Sequence, residues 1–164
     1  MLGDSLGLVE EQILKDGIKL KVDVPDTLPK IRARSQQIQQ VFLNILSNAR
    51  YVLNKKFAGS HDDKMVEIRG KVAKVNGEDF VRLAFYDNGT GIPARLLEKI
   101  CDPFFSTKPR GEGTGLGLSI SYGIVKDHGG RLWFQTVEGE YTEVIVDLPV
   151  DNKWRIPDAQ DSCH

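Results

Sequence analysis

Two glycine-rich loops at a set separation constrain this chain more than any other feature: Asp87-Asn-Gly-Thr-Gly-Ile-Pro93, then Gly111-Glu-Gly-Thr-Gly-Leu-Gly-Leu-Ser119. Between them lies Asp102-Pro-Phe-Phe-Ser-Thr-Lys-Pro109, and ahead of both a helix-patterned stretch carries Asn44 and Asn48. Glycine lets backbone N–H groups approach a ligand closely, and a helix that opens after such a loop attracts phosphate. An acid that reads a base, amides that hold phosphates and an amide side chain for a metal together describe a nucleotide site.

The periodicities around these loops set the fold class. A short helix is expected over residues 6–15, ended by Gly17, and Ile18, Leu20, Val22 and Val24 alternate as in a strand. Ser35 is placed as the N-cap of a helix running to about Phe57, with Ile38, Val41, Phe42, Ile45, Leu46, Ala49 and Leu53 as its apolar stripe. A hairpin follows, with Val66 and Ile68 in one strand, Val81, Leu83 and Phe85 in the other, and Asn76-Gly77 at the turn. A short helix using Leu96, Leu97 and Ile100 and a mobile loop over 102–114 come next. A helix from about Gly115 to His128 is stopped by Gly129-Gly130. Residues 131–137 and 141–148 form a last hairpin turning near Glu138-Gly139, with Trp133 and Phe134 read as strand core. Hairpin strands with interspersed helices predict an α+β fold, helices on one face of a mostly antiparallel sheet. The domain is assigned to residues 1–150, and the polar tail 151–164 is expected to be poorly ordered.

Each chemical motif carries a bland alternative. Asn44 and Asn48, four apart, share a helix face at the edge of the apolar stripe, where an amide oxygen suits magnesium already neutralised by phosphates; they also suit a solvated face. Asp87 at a strand end can accept a hydrogen bond from an exocyclic amine such as adenine's, or simply form an Asx turn. The run Gly111–Gly117 lacks the Gly-Lys-Ser/Thr of a P-loop and the register of a dinucleotide fingerprint, yet it enters a helix and so can cradle phosphate. A flexible linker is the alternative. Phe104 and Phe105 precede Thr107, Lys108 and Arg110, cations within reach of phosphate beside an aromatic anchor, or a buried pair next to a solvated loop. The three histidines have no ligand spacing, and His128 reads as a helix-end residue.

Together these residues resemble the ATP-binding catalytic domain of two-component sensor histidine kinases, within the GHKL ATPase/kinase superfamily. Asn44-Ile-Leu-Ser-Asn48-Ala resembles the N box, Asp87–Pro93 the G1 box, Asp102–Lys108 the F box and Gly113–Ser119 the G2 box, and Thr142 to Pro149 is similar to the last family motif. The wording of the F and G2 boxes is most similar to nitrogen-regulation-type kinases. The resemblance spans roughly residues 8–150 and implies the two-layer Bergerat α/β sandwich with a mobile ATP lid. It implies that Asp87 binds the adenine amine, helped through water by Gly91 and Thr142, that Asn48 coordinates magnesium, and that the amides of Gly115, Leu116, Gly117 and Leu118 hold phosphates. Further implied nucleotide contacts are Gly89, Ile92, Thr107, Gly113 and Thr114, with Lys108 and Arg110 on the lid. Asn44, near the phosphates, and Lys108 are the catalytic candidates. Where many sensor kinases carry a basic residue and a tyrosine after the metal asparagine, this chain has Tyr51 and Val52, so Arg50 or Lys55 is the substitute considered. Tyr141 stands where a glycine is usual.

The resemblance implies transfer of the γ-phosphoryl group of Mg–ATP to a histidine on a separate dimerisation domain, and onward to a response regulator. No phosphoacceptor motif of the His-Glu-Phe/Leu-Arg kind occurs. An ATP-hydrolysing machine like DNA gyrase B or MutL places a glutamate where this chain has Asn44, and an amide takes no proton from water at neutral pH. A binding-only module is the third reading, and a serine or mitochondrial dehydrogenase kinase the fourth. Size and composition agree with one globular domain: 164 residues, 40% hydrophobic, 27% charged. A net charge of −1 gives no reason to expect nucleic acid or an acidic membrane surface. Cys101 and Cys163 suggest neither disulfide scaffold nor zinc, and no spanning segment or signal peptide is seen, so a cytoplasmic monomeric domain is expected.

Overall fold

The computed structural model describes residues 2–29, 31, 33–57, 63–93 and 117–150. Its elements are α1 (Leu2–Lys15), β1 (Lys19–Asp23), α2 (Ser35–Lys56), β2 (Met65–Val75), β3 (Glu78–Asp87), α3 (Gly117–Asp127), β4 (Arg131–Val137) and β5 (Tyr141–Pro149). The strands make one sheet in the order β1-β2-β3-β5-β4, in which β1 runs parallel to β2 and every other pair is antiparallel. This is the α+β layering that the sequence predicts, with a mixed sheet.

Local chemistry explains most of these elements. All seven residues of the predicted α2 stripe are buried, and they join Ile68, Leu83, Phe85 and Val146 of the sheet in one core. Fully burying one such side chain contributes about 1.5–3 kcal/mol. Asn76 (φ 52°) and Gly77 (φ 82°) both take left-handed conformations at the β2–β3 turn, as a type I′ hairpin requires. α1 closes with paired bonds from Gly17 N to Leu14 O (3.0 Å) and Ile18 N to Ile13 O (3.1 Å). α3 closes the same way, from Gly129 N to Lys126 O and Gly130 N to Val125 O, both 2.9 Å. These are Schellman caps, with the glycine in the left-handed position.

The structure corrects several expectations. α1 begins at Leu2 rather than residue 6, because the polar Asp4-Ser5 pair is tolerated in a first helical turn. Ser35 is the first residue of α2, and Arg34 caps it without a side-chain bond. The Arg34 N–H instead donates to His128 Nε2 (3.1 Å), so His128 is protonated on Nδ1, which donates to Ile124 O (2.7 Å). The end of α3 thereby holds the start of α2. Leu20 of β1 and Val24, just past its end, pack on the core but Val22 is exposed, since β1 is an edge strand with one neighbour. Trp133 faces away from the helices, its ring between the guanidinium groups of Arg82 (5.1 Å) and Arg131 (4.7 Å). Both arginines lie directly across from Asp147, which is wholly buried and takes a bidentate pair of bonds from Arg82 (2.8 and 2.9 Å). Charge pairing joins β3, β5 and β4 on that side of the sheet. The short helix after Pro93, the 102–114 loop and the tail after Val150 lie outside the described residues. Among those described, no helix is long and apolar enough to cross a membrane.

Candidate functional site: a polar row at one end of the sheet

β3 ends at Asp87, which lies directly opposite Thr142 on β5, and Thr142 lies opposite Thr136 on β4. Strand alternation points this row toward the helical layer, the side on which Leu83 and Phe85 are buried. Asp87 is 5% exposed. Its Oδ1 accepts the Gly89 N–H at 2.9 Å, and among the described residues no hydrogen bond reaches Oδ2. Burial pushes the carboxyl up to about 7, against the opposing pull of the Gly89 N–H and the Lys56 charge. The Asx-turn reading of this motif is therefore realised, but it uses only one of the two carboxylate oxygens.

The loop after Asp87 is held from three sides. Asn88 fastens it to the start of β2, its Oδ1 accepting the Met65 N–H at 2.9 Å and its amide donating to Asp63 O. Gly89 sits against α2 so closely that a Cβ would lie 2.6 Å from Val52 Cγ2. On the far side, Gly139 N donates to Thr90 O (2.7 Å) and Ile92 N to Thr136 Oγ1 (2.9 Å). Lys56 Nζ, at the end of α2, donates to Asn88 O (3.1 Å), Gly89 O (3.2 Å) and Gly139 O (2.9 Å). One ammonium thus ties the helix, the loop and the β4–β5 turn together. Neither Lys56 nor Thr136 is singled out by the sequence, because both act on segments distant in the chain.

α2 brings Asn44 and Asn48 to the same layer. The Asn44 amide bridges to α3: it accepts from Gln40 Nε2 (2.8 Å) and donates to Oγ of the buried Ser121 (3.1 Å). Asn48, one turn on, is half-buried, and among the described residues no hydrogen bond engages its side chain. Arg50, considered as a phosphate contact, points away to Asp16 at the end of α1 and to Gln12. That pairing holds the Asp16 carboxyl below the usual carboxylate range. Lys55 lies over the Tyr51 ring at 6.0 Å. α3 is described from Gly117, followed by the half-buried Leu118; its expected start at about Gly115 lies outside the described residues. Thr107, Lys108, Arg110, Gly113, Thr114, Gly115 and Leu116 lie outside the described residues.

What remains is a buried acceptor carboxylate with one oxygen free among the described residues, a hydroxyl beside it and two amides on an adjoining helix. The Lys56 clamp makes a direct prediction. Lys56→Met removes a cation that favours ionised Asp87, so Asp87 should titrate at higher pH than in the wild type, while Lys56→Arg keeps it close to the wild-type midpoint. The carboxyl carbon chemical shift of Asp87 reads this directly. An unmoved midpoint in Lys56→Met counts against the clamp.

A profile of the family described as histidine kinase-, DNA gyrase B-, and HSP90-like ATPase matches residues 33–152. The two-component sensor PprA of Pseudomonas aeruginosa is 36% identical over 146 residues, 89% of this chain and 15% of its own length. The sensor histidine kinase ZraS of Escherichia coli K12 is 34% identical over 151 residues, 92% of this chain and 30% of its own length. The chain thus spans less than a third of the length of these curated relatives. The solved catalytic domain of histidine kinase ThkA matches with a TM-score of 0.72 at 31% identity, over 90% of this chain and 88% of that one.

Proposed function

The chain belongs to the histidine kinase-, DNA gyrase B- and HSP90-like ATPase family, among the catalytic domains of histidine kinases, and on that premise we propose that it binds Mg–ATP and passes the γ-phosphoryl group to a histidine on a separate dimerisation domain. A response regulator is the onward acceptor in this reading, and the cytoplasm, where ATP is available, is the site of action. The observation that carries the reading is the buried Asp87 carboxylate beside Thr142, its Oδ2 unengaged among the described residues. A carboxylate so placed fits the exocyclic amine of adenine and repels the carbonyl of guanine.

The residues divide the work. Asp87 accepts from the amine, with Thr142 and Gly91 completing the base contacts. Gly89 and Ile92 shape the loop over it. The first described amides of α3, at Gly117 and Leu118, suit phosphate at a helix N-terminus. The Asn48 amide oxygen, without a protein partner among the described residues, suits magnesium, which keeps most of its shell as water and phosphate oxygen. Transfer breaks the bond from the γ-phosphorus to the ADP oxygen and forms one to the acceptor imidazole nitrogen. The imidazole is itself the nucleophile, so this domain supplies position and charge neutralisation. Asn44, held between Gln40 and Ser121, carries no group able to take a proton from water, which argues against the hydrolytic reading.

Calorimetric titration with ADP, with and without magnesium and with GDP as control, tests the proposal. Adenine-selective binding strengthened by magnesium is expected, and Asn48→Ala should lose that strengthening more than the metal-free affinity. Absence of binding, or equal affinity for GDP, would overturn the nucleotide reading.

A further inference from the structure

The Thr136 hydroxyl, on β4, contacts three polar groups at once. It lies 2.7 Å from Tyr141 O, 2.9 Å from Ile92 N and 3.1 Å from Thr142 Oγ1. A hydroxyl has one proton to donate and two lone pairs to accept with. A carbonyl oxygen can only accept and an amide N–H can only donate, so the Thr136 proton goes to Tyr141 O and one lone pair takes Ile92 N–H. The remaining lone pair faces Thr142, whose hydroxyl must then be the donor of that third bond. Thr136 is saturated by this set, and the direction of every bond in it follows.

The consequence falls on Thr142. Its proton is committed sideways along the row, away from Asp87, and among the described residues no hydrogen bond joins Thr142 to Asp87. What the Thr142 oxygen still offers the site is lone pairs. Ionised Asp87 likewise offers only lone pairs. The site therefore presents two acceptors side by side on β3 and β5, where the strands pair Asp87 with Thr142. Resting on the nucleotide reading above, we infer that Thr136 is a specificity-determining residue: it fixes the Thr142 hydroxyl as an acceptor and so makes the site select a 6-aminopurine against a 6-oxopurine. Thr136 touches no base in this arrangement. It acts through Thr142 and, by the Ile92 bond, through the loop that follows Asp87.

A 6-oxopurine such as hypoxanthine meets acceptors with its own carbonyl, and nothing in the row can turn to donate while Thr136 holds the Thr142 proton. Valine in place of Thr136 is nearly the same size and suits a strand, but has no lone pair. The Thr142 proton is then released, and the hydroxyl can rotate to donate to a carbonyl. Serine keeps the lone pairs and the proton.

The test is calorimetric titration of ADP and inosine diphosphate at pH 8, where Asp87 is ionised, against wild type, Thr136→Val and Thr136→Ser. The wild type should favour ADP on the order of 100-fold, the upper end of what one unsatisfied buried polar group costs. Thr136→Val should narrow that ratio about tenfold, chiefly by gaining inosine diphosphate affinity, and Thr136→Ser should restore it, the narrowing being one misdirected hydrogen bond. Should the valine protein not fold, Thr136→Ala carries the same expectation. A merely structural role lowers both affinities together and leaves the ratio unchanged, which would overturn the inference while leaving ADP binding by the wild type, and hence the nucleotide reading, intact. A wild type that binds neither nucleotide removes both.

Discussion

Asp87→Asn is expected to abolish adenine-nucleotide binding and, at the same time, to raise the stability of the free domain. The two effects share one cause. Folding buries the carboxyl and lifts it from 3.8 to about 7. Between those values the native state holds a proton that the unfolded chain has released, so raising pH favours unfolding. By pH 8 the full penalty is present, roughly 4 kcal/mol as an upper limit. Asparagine is neutral at every pH, and its Oδ1 can still accept the Gly89 N–H. The gain should therefore appear at pH 8 and be almost gone at pH 4, where Asp87 is protonated in the native state and partly protonated in the unfolded chain. Urea unfolding at the two pH values reads it; equal stability of variant and wild type at pH 8 would sink the assignment of a buried, ionised Asp87.

The same titration governs the ligand. A carboxylate accepts from the adenine amine, and a protonated carboxyl presents its own O–H there instead. ADP affinity should thus fall about tenfold for each pH unit below 7, with one proton released on binding in that range. The proton shows as a dependence of the calorimetric heat on the ionisation enthalpy of the buffer. Asp87→Asn that binds ADP as tightly as the wild type contradicts the adenine contact.

Gly91→Ala is the second large effect, and it concerns the loop rather than the charge. Gly91 has a φ of +69°, and a Cβ there would stand 2.3 Å from Val137 O and 2.9 Å from Glu138 Cα. Backbone cannot swing aside as a side chain can. The left-handed conformation costs a residue with a Cβ about 1–2 kcal/mol, and the overlap about 1–3 kcal/mol more. The loop and the β4–β5 hairpin would separate, breaking Gly139 N to Thr90 O and Ile92 N to Thr136 Oγ1, and ADP affinity should go with them. Gly139→Ala is the matched control: its φ is +84° but nothing lies within 4 Å of the added atom. Thermal unfolding should show a markedly larger loss for Gly91→Ala. Equal losses would mean that conformation alone, not close approach, reserves this position for glycine.

Legibility tracked the range of the interaction. The α2 stripe, the Asn76-Gly77 turn and the glycine stops of α1 and α3 were readable because each depends on residues within a few positions of one another. Trp133 was misread as core because a strand residue next to an apolar neighbour gives no sign of which face it takes until Arg82 arrives on β3. Arg50, one of two substitutes considered for a phosphate contact, is engaged instead by Asp16, 34 residues earlier. Ser35 looked like a cap by type, yet the bond that secures Arg34 comes from His128, 94 residues away.

The sequence by itself determined the chemical inventory: an acid at a strand end, glycines where backbone must come close, two amides one helical turn apart, and an element order that admits one α+β sheet. Those properties reside in residue type and short spacing, which the chain carries before it folds. Only the tertiary structure decided how that inventory is poised. Burial, not residue type, sets Asp87 near neutrality. Lys56 reaches Gly139 across 83 residues and Ile92 reaches Thr136 across 44, so the clamp on the loop and the direction of the Thr142 proton exist only once β3, β5, β4 and α2 are packed. Hydrogen-bond direction and desolvation are properties of neighbours in space, and neighbours in space are what folding alone supplies.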